Sequence, residues 1–266
     1  REIYDFVASE GNLFDTLSAN LVWSRVTLNR GLFPTDGSST SVSLMSTLPF
    51  RDLNYYRASI QQKTYQPLGF ANLVFGFSGE LGYMDAYGDT NETPFFQNFY
   101  AGGPRSLRGF ESNTLGPRST QAPCYEFNYA EGSCPNLIDT DGDEILDTPY
   151  YNPYANSTSR YYDAPIGGNV KVEGSFQLIF RLPFIEDQRS MRSAFFFDFG
   201  NVFSDNCKEY QYNCSEPDID ELRYSYGVGV TWITSFGPMS FAIAKPTNAG
   251  PQERTEEFQF TVGNVF

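Results

Sequence analysis

Few residues in this chain can do chemistry, and their types narrow the options. Among 266 residues there is no histidine, so imidazole bases and imidazole metal ligands are excluded. Acidic pairs such as Asp141 with Asp143 occur, yet without histidine no nucleophile and base combine in the usual way. The chain is expected not to be an enzyme. Four cysteines fall as Cys124 with Cys134 and Cys207 with Cys214, each pair inside one polar connector. Three connectivities are open to four cysteines, and loop locality favours the two short pairs. Such bridges need an oxidising compartment and stabilise by at most about 2 to 3 kcal/mol each, mostly locally. No Cys-x-x-Cys is present, which argues against redox catalysis.

The run Asp139-Thr140-Asp141-Gly142-Asp143-Glu144-Ile145-Leu146-Asp147 resembles the calcium loops of thrombospondin type-3 repeats. Its spacing brings Asp139, Asp141, Asp143 and Asp147 toward one hard cation, although the terminal glutamate of an EF-hand is lacking. A calcium site and a solvated acidic loop tip stand level as readings, and no other cofactor is expected.

Charge and aromatic content set the class. A net charge of −14 offers no basic field for phosphate backbones, so nucleic acid is not an expected partner. The 25 Phe and 18 Tyr stand beside 2 Trp and 4 Met. No stretch approaches the length of an apolar membrane helix, the longest near-continuous run being Phe70 to Phe77. That leaves a transmembrane barrel open, because barrel strands alternate apolar and polar residues. Arg1 opens without a signal peptide, as expected of a processed product or a chain starting mid-element.

Period-two alternation recurs from end to end. Val170, Val172, Phe176 and Leu178 share one face while Lys171, Glu173, Ser175 and Gln177 share the other. Phe195, Phe197 and Phe199 lie opposite Asp198, and Phe258, Phe260, Val262 and Phe266 lie opposite Glu257, Gln259, Thr261 and Gly263. About ten strands follow from this pattern: Glu2 to Ser9, Asp15 to Leu28, Ser39 to Leu48, Asn54 to Tyr65, Asn72 to Tyr83, Asn169 to Arg181, Arg192 to Phe203, Glu221 to Thr234, Gly237 to Lys245 and Glu256 to Phe266. Several are long enough for a tilted bilayer crossing. Compact turns alternate with long polar loops, chiefly 85–168 and 204–220. A soluble sandwich also alternates, but Ser, Thr, Asn, Gln and Gly on the polar faces suit a watery lumen. The expected fold is all-β: an antiparallel transmembrane β-barrel spanning 1–266, with its aromatics facing lipid and its acidic residues mainly in external loops.

The segment Asn98-Phe99-Tyr100-Ala101-Gly102-Gly103-Pro104-Arg105-Ser106-Leu107-Arg108-Gly109-Phe110 resembles the BamA family of bacterial outer-membrane assembly factors, whose wider superfamily carries a [VL]RGF signature at Leu107 to Phe110. The turn Arg30 to Gly37, the run Phe195 to Gly200 and the terminal Glu257 to Phe266 are similar to the same family. The resemblance implies the C-terminal part of a sixteen-stranded barrel, without its first strands and periplasmic POTRA domains. It also implies that the long extracellular loop folds into the lumen, where Arg108 needs a carboxylate. Asp198 should supply it; the family's second acid falls at Gln177, and Glu173 is the candidate substitute.

Function follows as a set of expectations. The family's work is to fold and insert barrel proteins by opening laterally and exchanging strands at the last strand, here Phe258, Phe260, Val262, Gly263 and Phe266, where Gly263 weakens pairing. The location is the outer membrane of a Gram-negative cell. Partners would be outer-membrane lipids, client barrels and lipoproteins docking on absent domains, and the fragment alone should be inactive. Rival readings are a two-partner-secretion or TamA-like translocation pore and a passive porin.

Overall fold

The computed structural model describes residues 2–121, 164–182, 190–211 and 213–263. Helix α1 (Glu2–Glu10) precedes strands β1 (Ser18–Val26), β2 (Gly37–Thr47), β3 (Tyr55–Pro67), β4 (Val74–Ala86), β5 (Gly109–Phe110), β6 (Val170–Phe180), β7 (Met191–Phe203), β8 (Arg223–Thr234), β9 (Gly237–Pro246), β10 (Thr255–Glu256) and β11 (Phe258–Val262). Nine strands pair antiparallel in the order β1-β2-β3-β4-β6-β7-β8-β9-β11, and the short β5 and β10 pair separately. Among the described residues this sheet is open, with β1 and β11 each having one strand neighbour.

Register turns the alternation into two faces. Phe77, Phe176, Phe197 and Tyr226 pair in sequence across four strands. Their neighbours Ser78, Ser175, Asp198 and Ser225 do the same one residue on, so the pleat sends the two rows to opposite sides. In the first row Phe176, Phe197 and Tyr226 are exposed and Phe77 half-buried, and rings pack on this face, with Phe77 and Phe176 centroids 5.2 Å apart and Phe180 and Phe195 4.8 Å apart. In a bilayer this outward surface meets lipid, where apolar side chains lose nothing by exposure. The second row is the lumenal face. Among the described residues no helix is long and apolar enough to cross a membrane, and the strands make the crossing.

The largest buried apolar cluster lies inside the curve of the sheet. Phe99, Ala101, Leu107, Phe110 and Leu115 come from the loop after β4, and pack with Leu53, Tyr55, Met84 and Val202 near the ends of strands. Phe6 of α1 joins this cluster and meets Phe14, Phe95 and Phe96 edge-on or tilted.

Helix α1 corrects the strand expected over Glu2 to Ser9. Its acidic first turn suits a helix N-terminus. One helical turn separates Glu2 from Phe6, so both reach the loops beneath: the Glu2 carboxylate accepts from the Thr120 amide at 2.9 Å while Phe6 enters the core. The terminal strand also differs from the unbroken Glu256 to Phe266. Its first part leaves the sheet to pair with β5, and among the described residues the strand pairing with β9 runs over Phe258–Val262.

Candidate functional site

The loop after β4 reaches the lumen in stages. A 3₁₀ turn at Phe95–Gln97 leads into bridges between Phe99 and Gly168 and between Ala101 and Leu115. Gly102, Gly103 and Gly109 all have positive φ, and this lets the chain double back tightly before and within the Leu107-Arg108-Gly109-Phe110 turn. Leu107 and Phe110 point into the apolar cluster at 1% and 0% exposure, which fixes both shoulders of the turn. Arg108, between them, is directed at the sheet.

There it meets Asp198. Arg108 Nε donates to Asp198 Oδ2 and Nη2 to Oδ1, both at 2.7 Å, and the Arg108 backbone amide adds a third bond to Oδ2 at 3.1 Å. A bidentate, charge-assisted pair with a further backbone donor is a strong and directional anchor. Nη2 also donates to Ser175 Oγ at 3.0 Å. The guanidinium lies over the Phe196 ring, with Cζ 3.5 Å from the centroid. Phe196 in turn fits only because β8 carries Gly227 opposite it, where a Cβ would come within 2.7 Å of the Phe196 Cζ.

Glu173 and Gln177 lie on the same lumenal face but play other parts. Glu173 Oε2 accepts from Ser106 Oγ at 2.6 Å, two residues before Arg108, and sits 3.2 Å from Lys171 Nζ. Lys171 also pairs with Glu80 at 3.1 Å. Gln177 reaches the anchor indirectly, its Nε2 3.4 Å from Ser175 Oγ. The loop is therefore held at two points, Ser106 on Glu173 and Arg108 on Asp198.

A third hold comes from the terminal strand. Gln259 of β11 faces inward at 0% exposure; its Nε2 donates to the Phe110 carbonyl at 2.7 Å, and its Oε1 accepts from the Gly109 amide at 3.4 Å. Phe258, Phe260 and Val262 face outward and exposed, and Gly263 follows β11 with φ 84°. The Gly263 amide closes on the Pro238 carbonyl at 2.7 Å. Cys207 and Cys214 form a disulfide in the loop between β7 and β8. Phe266, Cys124, Cys134 and the acidic run with Asp139, Asp141, Asp143 and Asp147 lie outside the described residues.

Ser175, Phe196 and Gln259 were not singled out as site residues by the sequence reasoning. Each had a signal: they share the inward register with Glu173, Asp198 and Thr261 respectively.

An antiparallel sheet that is apolar outside and polar inside, with a loop clasped in its lumen, defines an outer-membrane β-barrel with an occupied interior. The chain belongs to the Omp85 superfamily: the model of the Omp85 superfamily domain matches residues 1–266. It is 32% identical over 262 aligned residues to the outer membrane protein assembly factor BamA of Neisseria meningitidis, covering 92% of this chain and 28% of that protein. Its fold is similar to the crystal structure of BamA from Haemophilus ducreyi lacking POTRA domains 1–3, with TM-score 0.75 and 28% identity over 100% of this chain and 48% of that one. The chain thus spans well under half the length of the curated relative. Family membership places it in the outer membrane of Gram-negative bacteria.

Proposed function

We propose that this chain works in the folding and insertion of β-barrel proteins into the outer membrane, with a client strand adding along the edge of β11. One observation carries the reading. Strand β11 pairs over five residues, whereas its neighbour β9 has ten and β8 twelve, and among the described residues its second edge has no strand partner. An exposed edge is normally a hazard, and a short, weakly held one is suited to strand addition. The likeness to BamA proteins supports the same reading. The work is non-covalent, and its partners are client strands, outer-membrane lipids and the lipoproteins of an assembly machinery. A passive pore fits less well, because the apolar cluster around Leu107 and Phe110 occupies the lumen.

The test is reconstitution. The protein as it exists in its own outer membrane, with its accessory lipoproteins, is placed in liposomes and offered an unfolded barrel client. Folded, protease-resistant client should accumulate at least about tenfold faster than in empty liposomes, a gain of about 1.4 kcal/mol in barrier. Equal rates would end the proposal.

A further inference from the structure

We propose that Gln259 is a positioning residue that couples the lumenal loop to the terminal strand, so that β11 and the Arg108 latch are released together. The coupling stands on geometry; its use in opening the barrel rests on the function proposed above.

Gln259 is the long polar side chain that β11 turns inward, and it is fully buried. Its amide meets one donor and one acceptor in adjacent residues of the loop, the Gly109 amide and the Phe110 carbonyl. A carboxamide presents both groups side by side, whereas a carboxylate has no donor for Phe110 and an apolar side chain has neither group. The contact continues beside it. Thr255 and Glu256 pair with Phe110 and Gly109, and the Glu111 amide donates to the Arg254 carbonyl at 2.9 Å. Gly109 has φ 91°, and its position leaves 3.1 Å between a would-be Cβ and the Ala244 Cβ of β9. The loop backbone therefore lies directly against β9 and β11.

The two holds meet in consecutive residues. Arg108 is bound to β7 through Asp198, while Gly109 and Phe110 are bound to β11 through Gln259. If β11 swung away, a buried amide on each side would lose its partner, and an unsatisfied buried polar group costs its full desolvation. Releasing the loop from Asp198 would likewise shift Gly109 off Gln259. Each hold thus steadies the backbone on which the other depends, so loosening either loosens both, and the seam strand is gated from inside the lumen as well as by its pairing with β9.

Hydrogen exchange in the membrane-embedded protein tests this with three variants. Among the described residues the Asp198 side chain bonds Arg108 and none of β11, so under Asp198→Asn an independent strand would not respond. Coupling predicts faster exchange over 258–262, by about tenfold for the loss of ordinary hydrogen bonds. Gln259→Leu should likewise speed exchange over 107–111, and the double variant should add little beyond the larger single effect. Should Asp198→Asn fail to insert, Ser175→Ala removes a single hydrogen bond from the guanidinium and serves the same arm. Exchange over 258–262 unchanged within about twofold, or additive effects in the double variant, overturns the inference. Coupling in a protein that inserts no client would leave this inference intact and remove the proposed function; an active protein without coupling would do the reverse.

Discussion

Phe196 lies beneath the Arg108 guanidinium at 3.5 Å, so the cation that Asp198 binds along its edge is covered on its face as well. Ion pair and ring together leave Arg108 4% exposed in what would otherwise be a watery channel. Arginine suits this place because its planar fork can pair and stack at once, which an ammonium cannot.

Arg108→Ala should leave the Asp198 carboxylate buried without its charge partner and destabilise the seated loop by about 3 to 5 kcal/mol. Limited proteolysis across 102–118 in the membrane-embedded protein would show new cleavage. Arg108→Lys should fall between the two, retaining the charge but losing the second hydrogen bond and the stack. A cleavage pattern unchanged by Arg108→Ala would show that the latch contributes nothing to loop seating.

Gly227 and Gly229 share one face of β8 but should respond differently to alanine. A Cβ at Gly227 would lie 2.0 Å from the Ile243 carbonyl oxygen and 2.7 Å from the Phe196 ring, whereas at Gly229 the nearest atom is 3.6 Å away. Thermal melting in detergent should show Gly227→Ala less stable by about 1 to 3 kcal/mol and Gly229→Ala nearly unchanged. Equal melting of the two variants would contradict this packing of Phe196.

Lys171 neutralises two carboxylates at once, Glu80 and Glu173, with all three side chains largely buried. Lys171→Met preserves bulk and removes the charge, leaving two acids facing one another. The loss should be about 3 kcal/mol in unfolding free energy. In the double variant with Glu80→Gln much of it should return, and absence of that recovery would remove the ion-pair account.

The Cys207–Cys214 disulfide closes a short loop outside the sheet. Replacing both cysteines by serine should cost about 2 kcal/mol locally, read as faster exchange over 204–220 with exchange in β6 and β7 unchanged. A change that spread into the strands would show that this loop braces the barrel.

The main strands and the inward row were legible because a barrel strand has a strict period of two. The alternation of Phe195, Phe197 and Phe199 alone turns Asp198 inward, and the inward placement of Gln259 follows from Phe258 and Phe260 by the same argument. Helix α1 was not legible: nine residues give too short a window for a 3.6-residue period, and packing of Phe6 on Phe95 and Phe96 decides its form. The break at Glu257 was hidden for a different reason. Thr255 and Glu256 leave the sheet to pair with residues some 145 positions earlier, and no local pattern carries a contact of that range.

The apolar residues of this chain serve two separate environments. One set faces lipid, from Trp23 to Phe260, and the other closes on itself around Leu107, Phe110 and Met84 within the sheet's curve. Detergent replaces the bilayer for the first set and leaves the second untouched, because the inner cluster never borrowed its dryness from the membrane. The loop can thus stay seated when the surrounding membrane has been stripped away.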